Sequence, residues 1–296
     1  MSALLHLLHP HERDIGFPVK RLLPAGVAQT VGPFIFFDHM GPATFASGTT
    51  QEDVRPHPHI GLSTFTYLFS GALMHRDSLG VAQRIEPGAV NWMTAGRGVV
   101  HSERIPEDIR AAGHVVEGIQ MWLAAPANCE EGDPGFRHYP AADLPVVVLP
   151  GAHFRVLAGT FLDHASPVQT EMPTLCVAGE LEKGAALPLA VDVEELAVYV
   201  ASGALDLAGQ PLAVGHMALL DPLEARHIQG RTTTTTRVLL IGGQRLEDRR
   251  FIWWNFVSTR RERIETAKIA WARDEFPRVP GETERIPLPE DAGGHS

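Results

Sequence analysis

A chain of 296 residues and 32.2 kDa is long enough for two ordinary domains, and 44% hydrophobic with 20% charged residues reads as globular rather than disordered. Its formal net charge of −10 repels phosphate backbones and anionic membrane surfaces, which argues against direct nucleic-acid or membrane binding. No stretch approaches the roughly 18 consecutive apolar residues of a membrane span, and two cysteines, Cys129 and Cys176, are too few for a disulfide framework or a thiolate metal site.

Taken in chain order, the N-terminal MSALLHLLHPHERD has no basic start and no apolar run long enough for a secretory signal, so a reducing cytoplasm is the expected location. This segment also precedes any strand pattern. From about residue 15 to 257, short apolar or alternating runs (Phe34–Phe37, Ser63–Phe69, Val146–Leu149, Leu196–Val200, Arg237–Ile241) are broken by Gly and Pro, the pattern of an all-β barrel or sandwich. Thr232–Thr236 reads as a loop entering a strand. Over Arg260–Phe276, Ile264, Ala267, Lys268 and Trp271 recur at the spacing of an amphipathic helix. Trp253-Trp254 would pack the second barrel against that helix. The Pro/Gly-rich acidic tail after Phe276 is expected to be extended and partly disordered.

An internal echo organises these elements. Tyr67-Leu-Phe-Ser-Gly-Ala-Leu73 returns as Tyr199-Val-Ala-Ser-Gly-Ala-Leu205, with five identities in seven positions. Gly88 stands 13 residues before His101, and Gly215 stands 12 before His227. Two copies of one strand-turn-strand unit imply two similar barrels from a duplication. The expected division is 1–135 for the first barrel, 136–257 for the second, and 258–296 for the helix and tail.

With so few cysteines, any metal would be held by imidazole and carboxylate, and 15 histidines are available. Histidines at i and i+2 on a strand share a face, so His57 and His59 reach one point. The spacing alone is weak, since about 0.8 such pairs arise by chance in this composition, and His9-Pro-His11 repeats it without a partner pair. His57-Pro-His59 differs because it leads into a strand, a Gly turn and then Asn91-Trp-Met-Thr-Ala-Gly-Arg-Gly-Val-Val-His101-Ser-Glu103. His101 and Glu103 again share one face, and Gly96 and Gly98 permit the turn that precedes them. Two antiparallel neighbours would thus present three imidazoles and one carboxylate, a donor set suited to iron, manganese, nickel, copper or zinc. The second repeat acts as a control. Counting back from its Ser-Gly turn puts Leu189 and Val191 at the places of His57 and His59, while His227 and Gln229 align with His101 and Glu103. One metal per chain, in the first barrel, is the expectation.

The segments FFDHMGP, RPHPHIGLSTFTYLFSG, HRDSLG and NWMTAGRGVVHSER resemble those of the pirin family, most closely its bacterial branch, over nearly the whole chain. The resemblance implies an all-β fold of two tandem cupin-type barrels (a bicupin) with a C-terminal helix. It implies one mononuclear site in the N-terminal barrel, with ligands matching His57, His59, His101 and Glu103, and iron, as Fe(II), as the metal most associated with the family. Ser63 stands where the general cupin pattern often carries a glutamate, a departure pirins share. The resemblance implies either of two functions. One is a quercetin (flavonol) 2,3-dioxygenase, with Glu103 as ligand, as base for the substrate hydroxyl, or both. The other is a redox-sensitive metal protein that binds a protein partner without turnover; a metal-dependent isomerase or hydrolase is a third reading that cupin barrels allow.

Neighbouring residues carry milder expectations. Phe45, Phe65, Trp92, Met121 and Trp122 either line an apolar substrate pocket or, more commonly for such residues, form core. His39 is a candidate to support the metal ligands, and His75 is expected in a surface charge cluster with Arg76 and Asp77. Arg249-Arg250 and Arg260-Arg261 are too few for a basic patch.

Overall fold

The computed structural model describes residues 3–14, 18–50 and 53–290. All five apolar runs noted above fall inside strands, and most are buried on both faces, which is why they read as short continuous apolar runs bounded by turns. They build two barrels of matching design, each a seven-stranded sheet facing a four-stranded one. In the first barrel the large sheet runs in the order Gly135–Tyr139, Val90–Thr94, Leu62–Ser70, His114–Ala124, Phe34–Phe45, Pro18–Leu23, His11–Asp14. Its small sheet runs Val54–His59, Val99–Arg104, Leu73–Asp77, Ala82–Ile85. The second barrel repeats the small sheet as Ala186–Leu187, Gly230–Thr232, Ala204–Leu207, Gln210–Ala213. The echoed turn is the same in both: Gly71 and Gly203 sit at φ +79° and +80°, and a Cβ on either would lie 2.7 Å or 2.3 Å from a neighbouring carbonyl oxygen.

The N-terminal segment, expected to lie ahead of any strand, is itself strand. Leu4–Leu8 pairs antiparallel with Met217–Leu220, so the first strand of the chain completes the large sheet of the second barrel. His9-Pro-His11 lies where the chain turns back towards the first barrel, and His9 packs edge-on against His216.

The two large sheets face each other, and their shared layer is the principal core. Phe37, Phe65, Trp92 and Met121 meet Tyr199, Met217, Leu239 and Ile241 there. Strand alternation then gives the opposite face of each sheet to its own barrel interior, and the two interiors differ in kind. The second is filled by Phe154, Val156, Val198, Leu205 and Leu240. The first buries Asp38, Thr64, Thr66, Asn91, His75 and Asp77, polar groups that need hydrogen-bond partners once buried.

The helix spans Arg261–Ala272, shorter than the periodicity suggested, with Ile264, Ala267 and Trp271 buried as expected. The start of the helix is tied down by the buried Glu130 carboxylate, which accepts hydrogen bonds from the Ser258 hydroxyl and from the amide and hydroxyl of Thr259. Its packing partner corrects the expectation for Trp253-Trp254. The hairpin Phe251–Trp253/Phe256–Ser258 joins the helix to the outer face of the first barrel, where Ile60 and Val100 meet Phe256 and Trp271. The tail is also more ordered than its composition suggested. Through residue 290 it is strapped across the same face: Ile286 N–H donates to Pro56 O at 2.8 Å, and Trp271 Nε1–H donates to Ile286 O at 3.0 Å. Glu282 accepts from the Ser102 hydroxyl and the Arg104 guanidinium, both at 2.8 Å. Acidic residues thus find cations on the barrel rather than solvent. Residues 291–296 lie outside the described residues. No helix among the described residues is long and apolar enough to cross a membrane.

Candidate metal centre

Strands Val54–His59 and Val99–Arg104 are antiparallel neighbours, with His101 opposite His57 and Val99 opposite His59. A bulge lies between Val54 and His57, on an edge strand where Pro56 and Pro58 forfeit amide hydrogens at little cost. This register turns three imidazoles to one point inside the first barrel: ligand nitrogens of His57, His59 and His101 all lie within 4.8 Å of one another. His59 Nε2 and His101 Nε2 are 3.1 Å apart, the separation of two adjacent nitrogens each about 2.1 Å from a common ion. His57 Nδ1 contacts the Arg55 carbonyl at 2.9 Å. The imidazole therefore donates there, and its Nε2 lone pair is left for a cation.

Burial holds His57 down to about 4, against the pull of the Arg55 carbonyl, and it holds His59 and His101 well below the usual histidine range. Neighbouring imidazoles push the last two further down. All three are neutral at ordinary pH, as metal ligation requires. Three neutral, buried imidazoles whose ligand nitrogens converge, with no carboxylate of the described residues among them, fit a divalent transition metal.

Glu103 is on the same strand as His101, but its carboxylate is not among the donor atoms that converge within 4.8 Å. It lies instead beside the Thr66 hydroxyl, and burial pushes it up to about 7 with Thr66 opposing. Thr66 Oγ1–H donates to Gln120 Oε1 at 2.8 Å. The indole of Trp122 stands edge-on to His59 at 5.3 Å and stacks on Phe36 at 4.0 Å, which makes an apolar wall beside the imidazoles. Of the other large apolar side chains considered, Phe65, Trp92 and Met121 belong to the layer between the barrels, and Phe45 packs beside Val116 and Met40.

Two expectations about histidines are corrected. His39 does not support the metal ligands. It lies on the face with Phe37, where Nδ1 meets the Tyr199 hydroxyl at 2.6 Å and Nε2 lies 3.4 Å from Glu117, which also pairs with Arg237 at 2.9 Å. His75 and Asp77 are not a surface cluster, being 4% and 0% exposed. Leu73, His75 and Asp77 alternate inward along one strand, the same period-two logic that groups His57 with His59. His75 stacks on Phe136 at 4.3 Å, its Nδ1 is 3.3 Å from His101 Nδ1, and its Nε2 is 3.0 Å from Asp77 Oδ2.

The second barrel shows what the fold does without the site. Leu189 and Val191 are core, as the repeat implied. His227 is not a retained inward imidazole; it is exposed in a turn. The pairing of Leu207 with Gly230, matched to that of His75 with Glu103, shifts the alignment by one. Gly230 thus occupies the place of Glu103 and Ile228 that of His101. A Cβ on Gly230 would stand 3.1–3.2 Å from Leu187, Leu205 and Leu207, so apolar side chains occupy the space that carries donors in the first barrel.

Residues 16–123 match the family model described as Pirin, and residues 176–277 match the Pirin C-terminal cupin domain. A pirin-like protein of Caulobacter vibrioides is 44% identical over 94% of this chain and 96% of its own length. A crystal structure of quercetin 2,3-dioxygenase from Acinetobacter baumannii superposes with a TM-score of 0.88 at 34% identity, covering 97% of this chain and 95% of that one. A bacterial pirin from Escherichia coli, solved in complex with nickel(II), shares the fold at a TM-score of 0.63 and 15% identity over 81% of this chain and 99% of its own.

Proposed function

The chain belongs to the pirin family, and on that premise we propose that it holds one divalent transition-metal ion at His57, His59 and His101 and oxidises a flavonol-like phenol as a quercetin 2,3-dioxygenase. The observation that carries the reading is the convergence of the three imidazoles in the one barrel whose interior is polar. The likeness to the Acinetobacter baumannii enzyme supports the substrate class.

When bound, a divalent ion supplies Lewis acidity that favours the phenolate form of a hydroxyl brought to it. The remaining steps fall to the chain itself. Trp122, backed by Phe36, offers a flat apolar surface next to His59 on which an aromatic ring can stack. Glu103 is the carboxylate on the ligand strands nearest in sequence to the imidazoles, and it takes the hydroxyl proton. The Thr66 hydroxyl lies between the Glu103 carboxylate, to which it can donate while that group is ionised, and Gln120 Oε1. Once Glu103 carries the proton it donates to Thr66 Oγ1, whose own hydrogen then goes to Gln120, and the chain Glu103–Thr66–Gln120 holds the proton away from the substrate. If the ion took a fourth ligand from the two ligand strands, Glu103 would supply it.

The test is anaerobic loading with Fe(II), and in parallel Mn, Ni, Cu and Zn, followed by quercetin and O₂. Flavonol absorbance, oxygen uptake and carbon monoxide release are recorded. Turnover of about one per second or faster, lost in His59→Ala, is the expected result. In Glu103→Gln, turnover should disappear while most of the metal stays. No turnover with any ion despite one bound per chain would overturn the enzymatic reading.

A further inference from the structure

We infer that His75 and Asp77 are positioning residues that set which nitrogen of His101 faces the metal. The inference rests on the three-histidine reading of the centre and does not depend on the reaction.

Asp77 is fully buried, and both of its carboxylate oxygens are engaged. Oδ1 accepts the amide hydrogens of Leu79 at 2.9 Å and Val81 at 3.1 Å, and Oδ2 is 3.0 Å from His75 Nε2. An ionised carboxylate only accepts, so His75 carries its hydrogen on Nε2. A neutral His75 then presents a lone pair at Nδ1. His101 Nδ1, 3.3 Å away, must donate to it, which places the His101 lone pair on Nε2, the atom 3.1 Å from His59 Nε2. With an ionised carboxylate and a neutral imidazole each link has one direction, and the direction begins at a carboxylate fixed by two backbone amides. Phe136 stacked on His75 keeps that ring from turning. A metal-bound histidine commonly donates its other N–H to a carboxylate; here a second imidazole is interposed. In the second barrel the matching positions are Leu207 and Gly209, so the relay is absent where the ligands are absent.

Asp77→Asn tests the direction with little change of shape. The oxygen of the introduced amide can still accept from Leu79 and Val81, but its NH₂ would donate to His75 Nε2. His75 would then donate from Nδ1, and His101 would carry its hydrogen on Nε2, against the ion. The variant should fold with the thermal midpoint of the metal-free wild type. It should bind Zn(II), measured by competition with a chromophoric chelator, about 10- to 100-fold more weakly, the usual effect of losing an outer-sphere partner. His75→Gln, which keeps an acceptor towards His101 and a donor towards Asp77, should bind Zn(II) close to wild type. Long-range ¹H–¹⁵N spectra of the metal-free proteins read the tautomer directly: Nδ1–H on His101 in wild type, Nε2–H in Asp77→Asn. An Asp77→Asn protein with wild-type affinity, or a wild-type His101 carrying Nε2–H, would overturn the relay. A wild-type chain that binds no Zn(II) would remove the metal reading instead, and the tautomers would still decide the relay.

Discussion

Replacing Glu117 by Gln removes one charge from the contact between the barrels and leaves its shape intact. Three groups face this carboxylate: Arg237 at 2.9 Å, His39 at 3.4 Å, and Tyr199 through its 2.6 Å contact with His39. Burial raises the Glu117 carboxyl, but His39 and Arg237 outweigh it, and the net effect is a carboxyl below its ordinary value. A charge-assisted hydrogen bond contributes about 1.5–3 kcal/mol. The Arg237 side chain is 29% exposed, so solvent screening brings the expected loss in Glu117→Gln to about 1–2 kcal/mol near neutral pH. The sign with pH comes from the depressed value. Stability from Glu117 is fully present above the unfolded glutamate pKa of about 4.3 and is lost as pH falls through the lower folded value. The glutamine of the variant does not titrate, so the gap between the two proteins should close on acidification, while effects of other carboxylates cancel in the difference. Urea unfolding of both proteins at several pH values measures the gap, and a double-mutant cycle with Arg237→Met isolates the pair. A gap that stays constant from neutral pH to about 3.5, below the ordinary glutamate value, would refute the reasoning.

Truncation after Phe276 removes the tail's bonds to Pro56, Ser102 and Arg104, on the two strands that carry the histidines. The expected outcome is a loss of about 1–3 kcal/mol with a red shift of Trp271 fluorescence, and weaker Zn(II) binding in the chelator competition. Gly230→Val would press a branched side chain against Leu187, Leu205 and Leu207. It should destabilise the second barrel by about 1–3 kcal/mol in calorimetry and leave the Zn(II) affinity of the first barrel unchanged.

The period-two signal makes much of the fold legible. The pairing of His57 with His59 depends on which face a side chain takes, which alternation determines, and the repeated Ser-Gly turn is read from glycines that sit at positive φ. Sequence spacing misjudges what is decided by partners far along the chain. His75 and Asp77 read as surface charges because adjacent Arg76 suggests solvent, whereas the strand alternates and, of these three, Arg76 alone points out. His39 falls on the wrong face for the same reason. Leu4–Leu8 has too few residues to announce a strand without Met217–Leu220 beside it. The tail's composition signals disorder, yet its acids meet Ser102 and Arg104. Glycine spacing aligns His227 with His101, but the helix Pro222–Ala225 changes the path of that segment, and only strand pairing reveals the one-residue offset.

The pairing of Leu4–Leu8 with Met217–Leu220 also constrains the order in which the protein can be assembled during synthesis. A chain emerging at about 5–20 residues per second holds its first strand without a mate for roughly ten to forty seconds before residue 220 appears. Throughout that interval an edge rich in leucine has nothing to bind. The first barrel can close its own sheets meanwhile, but Leu4–Leu8 cannot be placed until Met217–Leu220 has been made, so a ribosome stalled between the barrels would expose this strand to other nascent chains or to a chaperone.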